Sequence, residues 1–112
     1  MEDKEYITIQ DFSKLDIRIG KVVSANKVID TDKLIKFELD FGDEKRIIIG
    51  GWGISYPDPS ELMGTLLPAI LNLKPRVIRG IESQGMLLSA VKDNGPVALH
   101  PDKEVSLGAQ VK

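Results

Sequence analysis

The chain has 112 residues, 42% hydrophobic and 29% charged, with no cysteine and a formal net charge of −2. That length makes one domain, residues 1–112, able to bury roughly 60–70% of its unfolded surface without covalent staples. Disulfides, thiolate metal sites and cysteine nucleophiles are excluded, and so is a wholesale basic protein that coats nucleic acid.

A local basic patch remains allowed, because a field acts over about a Debye length, roughly 10 Å. The charge is unevenly spread. Residues 1–11 carry a net −3. Residues 14–36 carry a net +3, with Lys14, Arg18, Lys21, Lys27, Lys33 and Lys36 against Asp16, Asp30 and Asp32. Residues 72–86 carry a net +2, with Lys74, Arg76 and Arg79 against Glu82. The two basic segments can meet in the fold. The opening "MEDKEYITIQ" is acidic and polar, unlike a signal peptide, and no apolar run approaches the ~20 residues of a membrane span. A cytoplasmic protein without a membrane partner is expected.

Residues 1–7 read as a lead-in. Thr8 then caps a helical turn, with Asp11 three residues on completing a loose capping box, and Phe12 and Leu15 sharing a face. "IRIGKVVSANKV", 17–28, alternates with period two and is rich in β-branched residues, which predicts a long strand; Gly20 predicts a bend or bulge in it. Leu34 to Phe41 alternates with Ile35, Phe37, Leu39 and Phe41 on one face, and "KRIIIG", 45–50, returns after a turn at 42–44. Asp58, Pro59 and Gly64 bracket a short helix between 58 and 63. "TLLPAILNL" is a strand in which Pro68 predicts an edge or a bulge. "NLKPRVIRGIESQGM", 72–86, looks like an interrupted strand pair. "QGMLLSAVKDNGPVALH" is a further hairpin turning at Asp93-Asn94-Gly95, and 96–112 is a C-terminal extension. A glycine in a long first strand, and a helix between strands three and four, predict an all-β protein with short helices. The layout is that of an OB-fold, a five-stranded Greek-key barrel, with other small barrels left open by periodicity alone.

No catalytic constellation emerges, and the chain is read as not an enzyme. His100 stands alone, the usual zinc sets need partners the chain lacks, and "GGWG" at 50–53 misses the spacing of a phosphate loop and suits a tight strand exit. No cofactor is expected. Residues 72–86 fit a binding surface better: Lys and Arg neutralise phosphate, Arg adds a planar fork, Pro75 fixes the backbone, and Gly80 and Gly85 permit close approach. The residues alone leave a solvated loop with scattered cations equally open. Five per cent aromatic content argues against an extended stacking platform. Trp52 and Tyr56 are candidates to stack on one base each, with packing in core or loop the preferred role for Trp52.

Three stretches, 11–28, 32–51 and 72–90, together with "SYPDPSELMG" at 55–64, resemble the tRNA-binding domain appended to methionyl-tRNA synthetases. The same domain occurs as free-standing tRNA-binding proteins and in phenylalanyl-tRNA synthetase beta chains. The combination N-L-K-P-R, R-G and S-x-G-M is specific, and the resemblance spans roughly residues 8–112. It implies an OB-fold that binds tRNA by shape, and a homodimer assembled through 96–112 and parts of 17–25. It also implies a role either free-standing or alongside a methionyl-tRNA synthetase catalytic chain. Carried over by position, the tRNA contacts are Lys33, Asn72, Lys74, Arg76, Arg79, Ser83 and Met86, with Arg18, Lys36 and Trp52 as weaker candidates. Lys74, Arg76 and Arg79 would bind phosphates, Asn72 and Ser83 would hydrogen-bond or instead pin the loop, and Met86 would pack beneath. The chain departs from the pattern at 50–55, where "GGWGIS" replaces a small Ser-Gly exit. Two alternatives stand beside this reading: a CsaA-like polypeptide-binding chaperone, and a dimerisation module of a synthetase.

Overall fold

The computed structural model describes residues 4–112; Met1, Glu2 and Asp3, the first part of the expected lead-in, lie outside the described residues. The capping box forms. Thr8 Oγ1 accepts from the Asp11 N–H at 3.1 Å, the Asp11 carboxylate accepts from the Thr8 N–H at 3.2 Å, and one helical turn follows, α1 (Ile9–Ser13). The strands are β1 (Ile17–Lys27), β2 (Ile35–Asp40), β3 (Lys45–Gly50), β4 (Leu66–Ile70), β5 (Arg76–Ile78), β6 (Ile81–Ser83), β7 (Met86–Leu87), β8 (Ser89–Lys92) and β9 (Gly95–Ala98). Five of them form one antiparallel sheet in the order β3-β2-β1-β4-β7, curled into a nearly closed barrel. The protein is mostly β with very little helix, the OB-like barrel that the sequence predicts.

Long β1 turns the corner of the barrel by serving two neighbours. Lys21–Lys27 pairs with β2, and Ile17–Lys21 pairs with β4. The bulge falls between Val22 and Ser24, not at Gly20. Gly20 has a different role: a Cβ there would lie 2.6 Å from Phe41 Cε1, so the ring packs onto bare backbone. The alternation in β2 delivers Ile35, Phe37, Leu39 and Phe41 to the interior, where they pack with Val22, Ile48 and Leu67. Each such side chain contributes roughly 1.5–3 kcal/mol by burial.

Pro68 is not in a bulge, and β4 lies between β1 and β7; but β7 pairs only with Ala69 and Ile70, so Pro68 stands just past the end of that ladder. The strand tolerates it because of register. Pro68 stands opposite Ile19, whose N–H and C=O both point the other way, to Ala109 O and the Gly108 N–H. On this non-hydrogen-bonded pair no N–H is asked of Pro68 toward β1, and its carbonyl on the far side accepts from the Leu88 N–H at 3.0 Å. The expected short helix is a 3₁₀ turn, Pro59–Leu62, capped by the Asp58 carboxylate on the Ser60 N–H, and its Leu62 enters the core.

The C-terminal part folds back on the barrel. The hairpin β8–β9 turns on Asp93 and Asn94, both at positive φ (52° and 65°), the geometry of a type I′ turn. Residues 106–111 then run along the half of β1 that β2 leaves free: the Gly108 and Val111 N–H groups donate to Ile19 O and Ile17 O, each at 2.8 Å.

Candidate nucleic-acid interface

The interrupted strand pair at 72–86 is a small hairpin, β5–β6, inserted between β4 and β7 and in a sheet of its own. Its two-residue tip is Arg79–Gly80, at φ 52° and 78°, again the twist that suits a tight hairpin. Side chains, more than backbone ladders, fasten this insertion to the barrel. On β3, the Ile47 N–H donates to Gln84 Oε1 at 3.0 Å and the Ile49 N–H donates to Ser83 Oγ at 2.9 Å. The Arg46 guanidinium, held by Glu44 at 2.6 Å, donates to Leu71 O and Gln84 O. That bond from Arg46 keeps the Glu44 carboxyl below the usual carboxylate range. At the other end Asn72 clamps the approach to β1, accepting from the Asp16 N–H at 2.8 Å and donating to Lys14 O at 2.7 Å. Gly85 lets the chain pass: a Cβ would sit 2.7 Å from Ile70 O, and φ is +151°.

These bonds sort the sequence candidates. Asn72 and Ser83 bond to backbone, the arrangement that pins the loop; Ser83 is only 5% exposed, while Asn72 is exposed. Trp52 is 5% exposed, edge-on to Phe37 and stacked on Tyr56, so it is a core residue and not a platform for a base. Gly50, two residues before it, admits the indole: a Cβ there would meet Trp52 Cδ1 at 2.8 Å. The Tyr56 hydroxyl accepts from the Ala98 N–H, which ties it down as well. Arg18 is paired with Asp16 at 2.9 Å and sits 3.9 Å from Asp43; the hydrogen bond it donates to Asp16 raises its already high pKa.

Among the described residues the ion pairs involve Lys14, Arg18 and Arg46 alone, leaving Lys33, Lys36, Lys74, Arg76 and Arg79 exposed and without a carboxylate partner. Lys74, Arg76 and half-exposed Met86 border one groove with Ile49 and Ile78, above the Ser83 anchor. Arg79 reaches the other side of the hairpin, where it shares a groove with Lys36 and Lys27, so the two basic segments of the sequence do meet. Lys33 lies apart from both grooves, its stem against Gly51. Three residues of this region escape sequence reasoning. Arg46 and Gln84 are anchors whose partners are main-chain atoms far along the chain, which no local pattern announces. Lys27 is visible only as one member of a basic run.

The family model described as "Putative tRNA binding domain" matches residues 17–110. The methionine–tRNA ligase of Archaeoglobus fulgidus is 51% identical over 99% of this chain, which spans 17% of that enzyme. Among solved structures, a MetRS-related protein from Pyrococcus horikoshii superposes with a TM-score of 0.91 at 38% identity, covering 97% of this chain and all of that one. The chaperone CsaA from Bacillus anthracis superposes with a TM-score of 0.87 at 27% identity, covering 96% of this chain and all of that one. The match over 17–110 takes in the whole barrel and its inserted hairpin, so the chain belongs to the tRNA-binding domain family and is homologous to a segment of methionine–tRNA ligases.

Proposed function

We propose that this chain is a non-catalytic tRNA-binding module that recognises the folded shape of tRNA. It works either free-standing or as an accessory domain of a methionyl-tRNA synthetase in the cytoplasm. The observation that carries the reading is the division of labour in 72–86. Asn72, Ser83, Gln84 and Arg46 hydrogen-bond to main chain and fix the hairpin, while Lys74, Arg76 and Arg79 are held exposed on it, unpaired among the described residues. A rigid array of cations matches fixed phosphate positions, which is how shape is read without base contacts. An overall acidic protein then binds RNA only where these cations gather, along the hairpin and beside it. Appended to a synthetase, the module would raise the effective concentration of tRNA near the catalytic domain.

The test is a titration with folded tRNA, with an unstructured RNA of equal length as control, at several salt concentrations. With four to six phosphates neutralised, log affinity falls against log salt with a slope of about −3 to −5. Arg76→Glu with Arg79→Glu abolishes the preference for folded tRNA; an unmoved affinity would sink the assignment of this patch.

A second reading draws on a different surface, beside the C-terminal segment. Ile19, Pro68, Leu99, Val105 and Val111 border an open, mainly apolar groove of about 430 Å³. This surface suits a second copy of the chain, giving a homodimer with a doubled cation array, or else an unfolded polypeptide as in a chaperone. Sedimentation of wild type and Leu99→Glu separates them. A dimer that the substitution splits supports self-association, and a monomer that captures unfolded polypeptide supports the chaperone reading.

A further inference from the structure

The groove beside Arg79 differs in kind from the Lys74–Arg76 surface. It has a volume of about 610 Å³ and lies between the end of β1 with the loop after it and the β5–β6 hairpin. Its rim carries Lys27, Lys36 and Arg79; its apolar part is buried Val28, Ile81 and Ile29, the last 83% exposed. One carboxylate, Asp30, also lines it. None of these four charged groups is ion-paired among the described residues, although three cations and one anion border the same groove. The site therefore presents separated features: cations for an anion, an aliphatic surface for a flat apolar face, and a free acceptor for a hydroxyl.

We propose that this groove holds one unpaired nucleotide of the bound RNA: its phosphates on Lys27, Lys36 and Arg79, its base against Ile29 and Ile81, and its ribose 2′-hydroxyl donating to Asp30. The inference rests on the RNA-binding reading above and adds to it a means of telling RNA from DNA, since the 2′-hydroxyl is the group that differs. Net charge argues for a polyanion over a polypeptide here. The presence of Asp30 argues for a hydroxyl donor over bare phosphate, which a carboxylate repels.

The experiment compares affinities for a single-stranded RNA and for its 2′-deoxy counterpart of identical base sequence, using wild type, Asp30→Asn, Ile29→Ser and Arg76→Glu. Wild type prefers RNA by about tenfold, the size of one hydrogen bond to a charged group. Asp30→Asn removes a negative charge, so simple electrostatics predicts that RNA and DNA both tighten with their ratio unchanged. The proposal predicts that the ratio falls severalfold, because a neutral amide oxygen accepts from the hydroxyl more weakly than a carboxylate. Ile29→Ser weakens both strands. An unchanged ratio in Asp30→Asn, while Arg76→Glu still weakens RNA, overturns the groove assignment and leaves the tRNA-binding reading standing. Absence of single-strand binding by a wild type that still binds folded tRNA overturns the groove assignment alone; absence of binding to folded tRNA as well overturns both. Methyl resonances of Ile29 and Ile81 that shift with an unfolded polypeptide, and not with RNA, also overturn it.

Discussion

Replacing Arg79 by Asn separates the structural from the functional role of the hairpin tip. Arg79 sits at φ 52°, beside Gly80 at 78°, so a long side chain occupies a left-handed position where Asn-Gly is the favoured pair. A non-glycine residue there costs about 1–2 kcal/mol, and Asn recovers part of it through local hydrogen bonding. Arg79 makes no hydrogen bond or ion pair among the described residues that would offset this gain. Arg79→Asn should therefore stabilise the fold by roughly 0.5–1 kcal/mol. At an m value of about 1–1.5 kcal/mol/M this raises the urea midpoint by roughly half a molar. The same substitution removes one phosphate contact, so the salt dependence of tRNA binding becomes shallower by about 0.7–0.9 in slope. Urea unfolding and a salt series of tRNA titrations measure the two arms. A destabilised variant would refute the strain argument, and an unchanged slope would refute the phosphate contact.

Other expectations follow from the same geometry. Ser83→Ala strips the Ile49 N–H of its acceptor in a buried place and should cost about 1–3 kcal/mol in chemical unfolding, where a surface role for Ser83 predicts almost nothing. Gly20→Ala drives a methyl into the Phe41 ring and should cost about 1–3 kcal/mol, whereas a mere bend at Gly20 predicts a mild effect. Glu44 has a depressed folded-state pKa, so its contribution is present above the unfolded carboxylate pKa and is lost as pH falls through the folded value. Glu44→Gln should thus lower stability at neutral pH and flatten its decline on the acid side; a parallel acid-side curve in the variant would contradict this.

The sequence determined those features whose cause is local. Alternation put Ile35, Phe37, Leu39 and Phe41 inside because strand side chains switch faces at every residue. The Thr8 box, the Asp58 cap and the Asp93-Asn94 turn formed because each is made by atoms within a few residues of one another. The cations of 72–86 were legible as charge. Their exposure, and the anchoring of the hairpin that carries them, were not.

Tertiary structure decided whatever depended on a partner distant in the chain. Gly20 looks like a bend until Phe41 arrives on it, and Pro68 fits its strand because Ile19 turns its backbone toward the C-terminal segment. Trp52, for which packing is the preferred reading in sequence, finds its room where Gly50 lacks a side chain. Arg18 reads as a free cation and is taken by Asp16, while Asn72 and Ser83, readable as ligand donors or as pins of the loop, are bonded to main chain. A side chain's availability is what remains after every buried polar group has found a partner, and that accounting closes only in the folded molecule.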